Sequence, residues 1–279
     1  MLEVHNVWKR FRKGGKEIVA LKAVSFSAER GCLVILGLNG AGKTTLLNII
    51  TGLLIPDEGY VRVDGTDPVK DPGNVAIPFI PWEDARMTVR DAVYAMEMFN
   101  DVNIPEKLIR LLKLEEHMDA QIQKLSTGVY RRVQLLNALS SPHRVVLLDE
   151  VTNGLDLEAF EVFKNTIKAI KGKKLILFAT HIFEHAEAVA DNVLILHEGI
   201  VKKYAKLKDV LKLAGEVLRV RGTNIGMGTY VDGEWVIPVE DAEKELPRIV
   251  KTIIERGGEI ESIRVESGSL KDAFARVIQ

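Results

Sequence analysis

The sequence predicts an α/β protein built on a mainly parallel sheet, closed by a small α+β unit at its C-terminal end. Three observations carry this expectation. Four short apolar runs, residues 32–36, 145–148, 174–179 and 193–196, are rich in Val, Ile and Leu, as strands buried on both faces are. Helical patterns lie between them. Residues 43–50 follow the first run, and a stretch between the second and third puts Phe160, Phe163, Ile167 and Ile170 on one face. Strand, helix and strand in that order require parallel strands joined by right-handed crossovers. After about residue 205 the texture changes. Strands are expected at 217–221, at 229–239 with a fold at Asp232-Gly233, and at 260–266, alternating with helices at 242–256 and 269–278.

The remaining elements follow from local chemistry. Residues 1–36 read as short strands at 2–7, 18–19 and 24–28 before the run at 32–36. Gly52 suits the stop of the helix at 43–50. Residues 60–63 read as a strand entering the tight turn Asp64-Gly65. The run 75–80 contains Pro78 and meets Pro81, so an edge or bent strand is expected there. Residues 87–139 are mostly helical, with helices at 89–99 and 105–114, and Pro105 suits a first helical turn.

Composition narrows the function classes. A chain of 279 residues with 47% apolar and 28% charged residues can bury a full core and carry a second, smaller unit. Lysine and arginine number 38 against 39 acids, so no global field favours nucleic acid. The single cysteine, Cys32, excludes an internal disulfide and sits in an apolar run as a small core residue would. The N-terminus lacks a basic segment followed by an apolar one, so no secretory signal is expected, and no run approaches the roughly 20 apolar residues that cross a bilayer.

The run Gly37-x₄-Gly42-Lys43-Thr44 has the spacing of a phosphate-binding loop and lies between a strand and a helix, as that loop requires. Glycines at 37, 40 and 42 let backbone N–H groups approach phosphate oxygens, and the next helix adds its unpaired N–H groups and positive end. Lys43 would place its charge at the β- and γ-phosphates, and Thr44 can offer a hydroxyl to Mg²⁺. The run 145–148 ends in Asp149-Glu150, which puts two carboxylates at the carboxyl edge of a parallel sheet, where ligands bind. Such a pair alone also suits a solvated strand end. Beside a phosphate loop, Asp149 reads as a Mg²⁺ holder and Glu150 as the group that polarises the attacking water. His181 ends the next run and reaches the same edge. His5, His117, His143, His185 and His197 read as surface or packing residues.

In this order the motifs resemble the ATP-binding cassette family, the nucleotide-binding domains of ABC transporters. The phosphate loop with Asn39, Ala41 and Thr45 looks like that family's version. Leu125-Ser126-Thr127-Gly128 resembles its signature, Asn153-Gly154-Leu155-Asp156 its D-loop, and His181 its switch histidine, while Phe11 falls where an aromatic stacks on adenine. A core phenylalanine would fit position 11 as well, and a plain serine N-cap would fit position 126. The resemblance covers residues 1 to about 205. It implies a P-loop NTPase core with an N-terminal antiparallel β subdomain and a helical subdomain at about 87–139, with 206–279 as a small α+β domain. It also implies ATP and Mg²⁺ as cofactors and a head-to-tail pair of cassettes, identical or not. In that pair Ser126 and Gly128 would clamp the nucleotide held by the other subunit.

Two motifs depart from the family pattern. The signature has Thr127 and Val129 where glycine and glutamine are common. Trp82 takes the place of the lid glutamine, with Glu83 beside it as a substitute oxygen ligand or an ordinary exposed acid. One phosphate loop and no long heptad stretch argue against translation and chromosome members. The layout resembles subunits that serve a separately encoded membrane permease, often export-type, from the cytoplasmic face of the membrane. A regulatory or assembly subunit with weak hydrolysis is the alternative that Trp82 favours.

Overall fold

A computed structural model describes residues 1–71, 75–76, 86–231 and 233–278. The chain divides into two compact units, Met1–Tyr204 and Ala205–Gln279.

The first unit begins with a long hairpin. Strand β1 (Leu2–Lys13) turns at Gly14-Gly15 into β2 (Lys16–Ala28). The two are longer than the short strands expected from the sequence. Register shifts around Val7 and Lys9, with Asn6 and Ala23 at positive φ, interrupt the period-2 pattern from which strands are read. Strand β3 (Gly31–Leu36) leads through the glycine-rich loop into α1 (Lys43–Ile50), and β4 (Glu58–Val63) pairs with β1 to give an antiparallel sheet of order β2-β1-β4.

Of the run at 75–80, β5 (Val75–Ala76) lies among the described residues. Helix α2 (Val89–Asn100) is started by a reciprocal Thr88–Asp91 capping box. Helix α3 (Glu106–Leu111) has Pro105 at its N-cap and is shorter than expected, because the chain turns at Lys113, whose φ is +49°. Helix α4 (Thr127–Ser140) runs into β6 (Val145–Asp149), followed by α5 (Leu157–Ile170), β7 (Leu175–Thr180), α6 (Phe183–Val189), β8 (Asn192–His197) and β9 (Ile200–Lys206). On α5 the buried face comprises Ala159, Val162, Phe163, Thr166 and Ile167, with Phe160 and Ile170 at its margins.

The main sheet has order β5-β6-β7-β3-β8-β9, and its first five strands pair in parallel. The α/β fold class read from the sequence therefore holds. One hydrophobic core joins both sheets and α1. Leu2, Val4 and Val61 of the antiparallel sheet share it with Leu46 and Ile50 of α1 and with Leu33, Leu147 and Leu177.

In the second unit, α7 (Leu207–Ala214) precedes β10 (Glu216–Thr223), β11 (Thr229–Val231), β12 (Glu234–Val239), α8 (Ala242–Glu255), β13 (Glu259–Ser267) and α9 (Leu270–Ile278). The strands form an antiparallel sheet of order β11-β12-β10-β13. Pro238 sits in β12 without disturbing it, because β11 pairs only with 234–236 and leaves that edge open. Leu218 and Val220 of the sheet pack with Ile253 of α8.

Candidate nucleotide site

Register brings the predicted residues together. Leu36 pairs with Thr180, and Asp149 pairs with Ala179, so β3, β7 and β6 end at the same level. Gly37, His181 and Glu150 therefore leave three adjacent strands at one carboxyl edge, where parallel sheets bind ligands. Cross-links hold this edge: Gly37 N–H donates to the Thr180 carbonyl at 3.4 Å, and Glu150 N–H to the Ala179 carbonyl at 3.0 Å.

The glycine-rich loop has a fixed shape. Gly42 caps α1 with φ +102°, and a Cβ there would lie 2.6 Å from the Ala20 carbonyl oxygen, so glycine is required twice over. Gly37 and Ala41 are buried, while Asn39 and Gly40 are exposed. The β8–β9 turn braces the loop: Gly199 N–H donates to the Ala41 carbonyl at 3.0 Å, and the Gly199 carbonyl accepts from Lys22 N–H at 2.8 Å.

Lys43 is only 6% exposed. Its ammonium donates to the carbonyls of Gly37 (2.8 Å) and Leu38 (3.3 Å) and lies 3.2 Å from Glu150 Oε1. Burial of a charge at this depth is tolerated because every side of it is met by oxygen. Glu150 is a non-glycine residue at φ +48°, a conformation that costs about 1–2 kcal/mol. That turn directs its carboxylate to Lys43 on one side and to His181 on the other. His181 Nδ1 lies 3.0 and 3.1 Å from the two Glu150 oxygens. A carboxylate oxygen accepts, so Nδ1 is the donor in this contact and Nε2 is left for another partner.

Asp149 sits beside this cluster. Its Oδ2 accepts from the Thr44 hydroxyl at 3.0 Å, while its Oδ1 is buried without a hydrogen-bond partner. Burial, and then the neighbouring Glu150 charge, hold the Asp149 carboxyl above its ordinary range. An orphaned buried carboxylate oxygen next to a threonine hydroxyl fits a hard divalent cation such as Mg²⁺, which takes one or two protein oxygens and keeps its waters.

A cavity of about 510 Å³ lies over the loop. Asn39, Gly40, Gly42, Lys43, Thr44, Thr45 and Glu150 line it from the predicted set. Its other wall is formed by Ile18, Val19, Ala20 and Lys22 of β2 and by Glu198-Gly199. No motif marks these residues, and sequence reading missed them. Only the Glu198-Gly199 turn, just past an apolar run, could have signalled a wall. Phe11 is 39% exposed and directly opposite Ile18 across the hairpin, so it is no core residue and flanks the cavity through Ile18.

Other predicted residues stand apart from this cavity. Ser126 caps α4, accepting from Val129 N–H at 3.3 Å, and Asp156 caps α5, accepting from Ala159 N–H at 2.7 Å. Gly128 is the second residue of α4. None of the three lines the cavity of its own chain. Trp82 and Glu83 lie outside the described residues. His185 packs, stacking on Phe160 at 3.9 Å between ring centres and meeting the Thr152 hydroxyl at 2.9 Å. Burial pushes its pKa down. Cys32 is fully buried, and burial raises its thiol pKa.

Comparison with known proteins agrees with this geometry. The sequence model of the ABC transporter family matches residues 21–153. The chain is 33% identical over 215 residues to the ABC transporter ATP-binding protein NatA of Bacillus subtilis (strain 168), covering 72% of this chain and 87% of that one. It is 33% identical over 212 residues to the Nod factor export ATP-binding protein I of Burkholderia lata, covering 71% of this chain and 68% of that one. Among solved structures, an ATP-binding subunit of an ABC transporter superposes with a TM-score of 0.64 at 26% identity, covering 75% of this chain and 91% of the other. A dimeric ATP-binding cassette in a post-hydrolysis state, bound to ADP and Pi, superposes with a TM-score of 0.63 at 24% identity, covering 74% and 99%, which reports on the fold. The phosphate loop, the acidic strand end and these relatives together make the chain a member of the ABC transporter ATP-binding family.

Proposed function

We propose that this chain hydrolyses ATP as one of two paired cassettes and drives a separately encoded membrane permease through the nucleotide cycle, without binding cargo itself. The observation that carries the reading is the Lys43–Glu150–His181 cluster at one sheet edge, with Asp149 and Thr44 beside it. Residues 1–205 serve as the ATP-binding cassette, with 87–139 as its helical subdomain, and 206–279 as a small C-terminal domain.

The chain's own groups divide the work. Loop N–H groups and Lys43 hold the phosphates. Thr44 and Asp149 are the residues that would hold Mg²⁺, which neutralises charge developing on the phosphate oxygens. Glu150, steadied by His181, accepts hydrogen bonding from the attacking water and polarises it. His181, whose Nδ1 is engaged by Glu150, would meet the γ-phosphate through Nε2, donating an N–H to a phosphate oxygen. Ser126 and Gly128 are outside their own cavity, which supports their service to the nucleotide of a second copy. The Nod factor export relative favours an export-type system. No helix among the described residues is long and apolar enough to cross a membrane. In this reading another chain supplies the permease, and this subunit works at its cytoplasmic face.

The Glu150→Gln variant tests this. It keeps shape and removes the base, so ATP turnover should fall by about a thousandfold. A stable ATP-bound dimer should then appear in sedimentation. Wild-type protein without ATP turnover, even with its membrane partner, would sink this reading in favour of a regulatory subunit.

A further inference from the structure

A second cavity, of about 390 Å³, opens among α3, the end of α4 and the end of α5, and shares no lining residue with the nucleotide site. Its size is within the range of small-ligand sites. Leu108, Leu111, Leu139 and Ile170 give it an apolar wall. Its charged lining residues are Lys107, Lys173 and Lys174, with no acid among them.

Lys174 is the unusual member. Its ammonium donates to the Ser141 carbonyl just beyond the end of α4. Among the described residues no charged group offsets its burial, which lowers its pKa to about 8. Helix carboxyl ends attract cations, which accounts for one of its three N–H groups. The other two meet no protein acceptor among the described residues, and a partly buried ammonium without a carboxylate is costly to keep.

We propose that this cavity binds a small amphipathic anion, an unbranched hydrocarbon with one carboxylate, the carboxylate on Lys174 and the chain against Leu108, Leu111 and Ile170. Apolar walls alone would suit a neutral hydrocarbon. Three lysines without an acid select the anion, and the wall rejects small hydrophilic ones.

Titration calorimetry of the full chain with decanoate, decan-1-ol and acetate tests the assignment at neutral pH. Decanoate should bind at a single saturable site, about tenfold or more tighter than decan-1-ol, and acetate should show no binding. Lys174→Met should weaken decanoate by about tenfold and leave decan-1-ol unchanged. Leu108→Trp, which fills the cavity, should remove both. Unchanged nucleotide binding confirms that each variant is folded. Absence of saturable decanoate binding to the wild type overturns the proposal. So does equal affinity of wild type for decanoate and decan-1-ol, a comparison that needs no variant.

Discussion

Replacing Gly128 with alanine should stabilise the isolated chain while disabling the paired one. Gly128 lies in the first turn of α4, outside the left-handed region, and an added Cβ would meet only the Ala159 Cβ, at 3.4 Å. That is ordinary contact, so the substitution carries no strain. Alanine is favoured over glycine in helices by up to about 1 kcal/mol, and a first-turn position should realise about half of that. For a chain of this size the gain is about 1–2 °C in Tm, read by calorimetry without nucleotide. If the second copy's nucleotide presses against this backbone, the same methyl group occupies the space the phosphate needs. ATP turnover should then fall by about a hundredfold, as when one oxyanion donor is lost. The dimer formed by Glu150→Gln should also be lost when Gly128→Ala is added. Gly42→Ala is the control, because φ +102° and the Ala20 oxygen at 2.6 Å make it destabilising as well as inactive. A Gly128→Ala protein that is stable and turns over ATP like the wild type would refute the shared site.

Two further outcomes follow from buried charge. Asp149→Asn removes a carboxylate held above its ordinary pKa by burial, so the nucleotide-free chain should gain stability in calorimetry. The same variant should lose the stabilisation that Mg²⁺ with ATP gives the wild type; retention of it would exclude Asp149 as a Mg²⁺ holder. Lys174 titrates near 8 in the fold against an ordinary 10.5, so between those values the unfolded chain holds a proton that the folded chain lacks. Stability against urea should therefore rise with pH from about 8 to 10.5, and this increment should be absent from Lys174→Met.

The main elements were legible because the parallel strands are apolar throughout and the phosphate loop has a fixed spacing. The long β1–β2 hairpin was not, since Arg10, Arg12, Lys16 and Glu17 mask its alternation and its bulges shift the register. Helix α6 and strand β9 also escaped notice, being short and half-exposed.

By itself the sequence determined which chemistry is present: a glycine-rich loop ending in Lys43-Thr44, two acids closing an apolar strand, and a histidine closing the next. These are local facts, carried by spacing within single elements. Only the tertiary structure decided that they meet, because the register of β6, β7 and β3 sets where each strand ends. It alone decided that Glu150 turns through a left-handed conformation to reach both Lys43 and His181. It also built the far wall of the site from Ile18–Ala20 and Glu198-Gly199, which are distant in sequence and joined by the hydrogen bonds of Gly199 to Ala41 and Lys22.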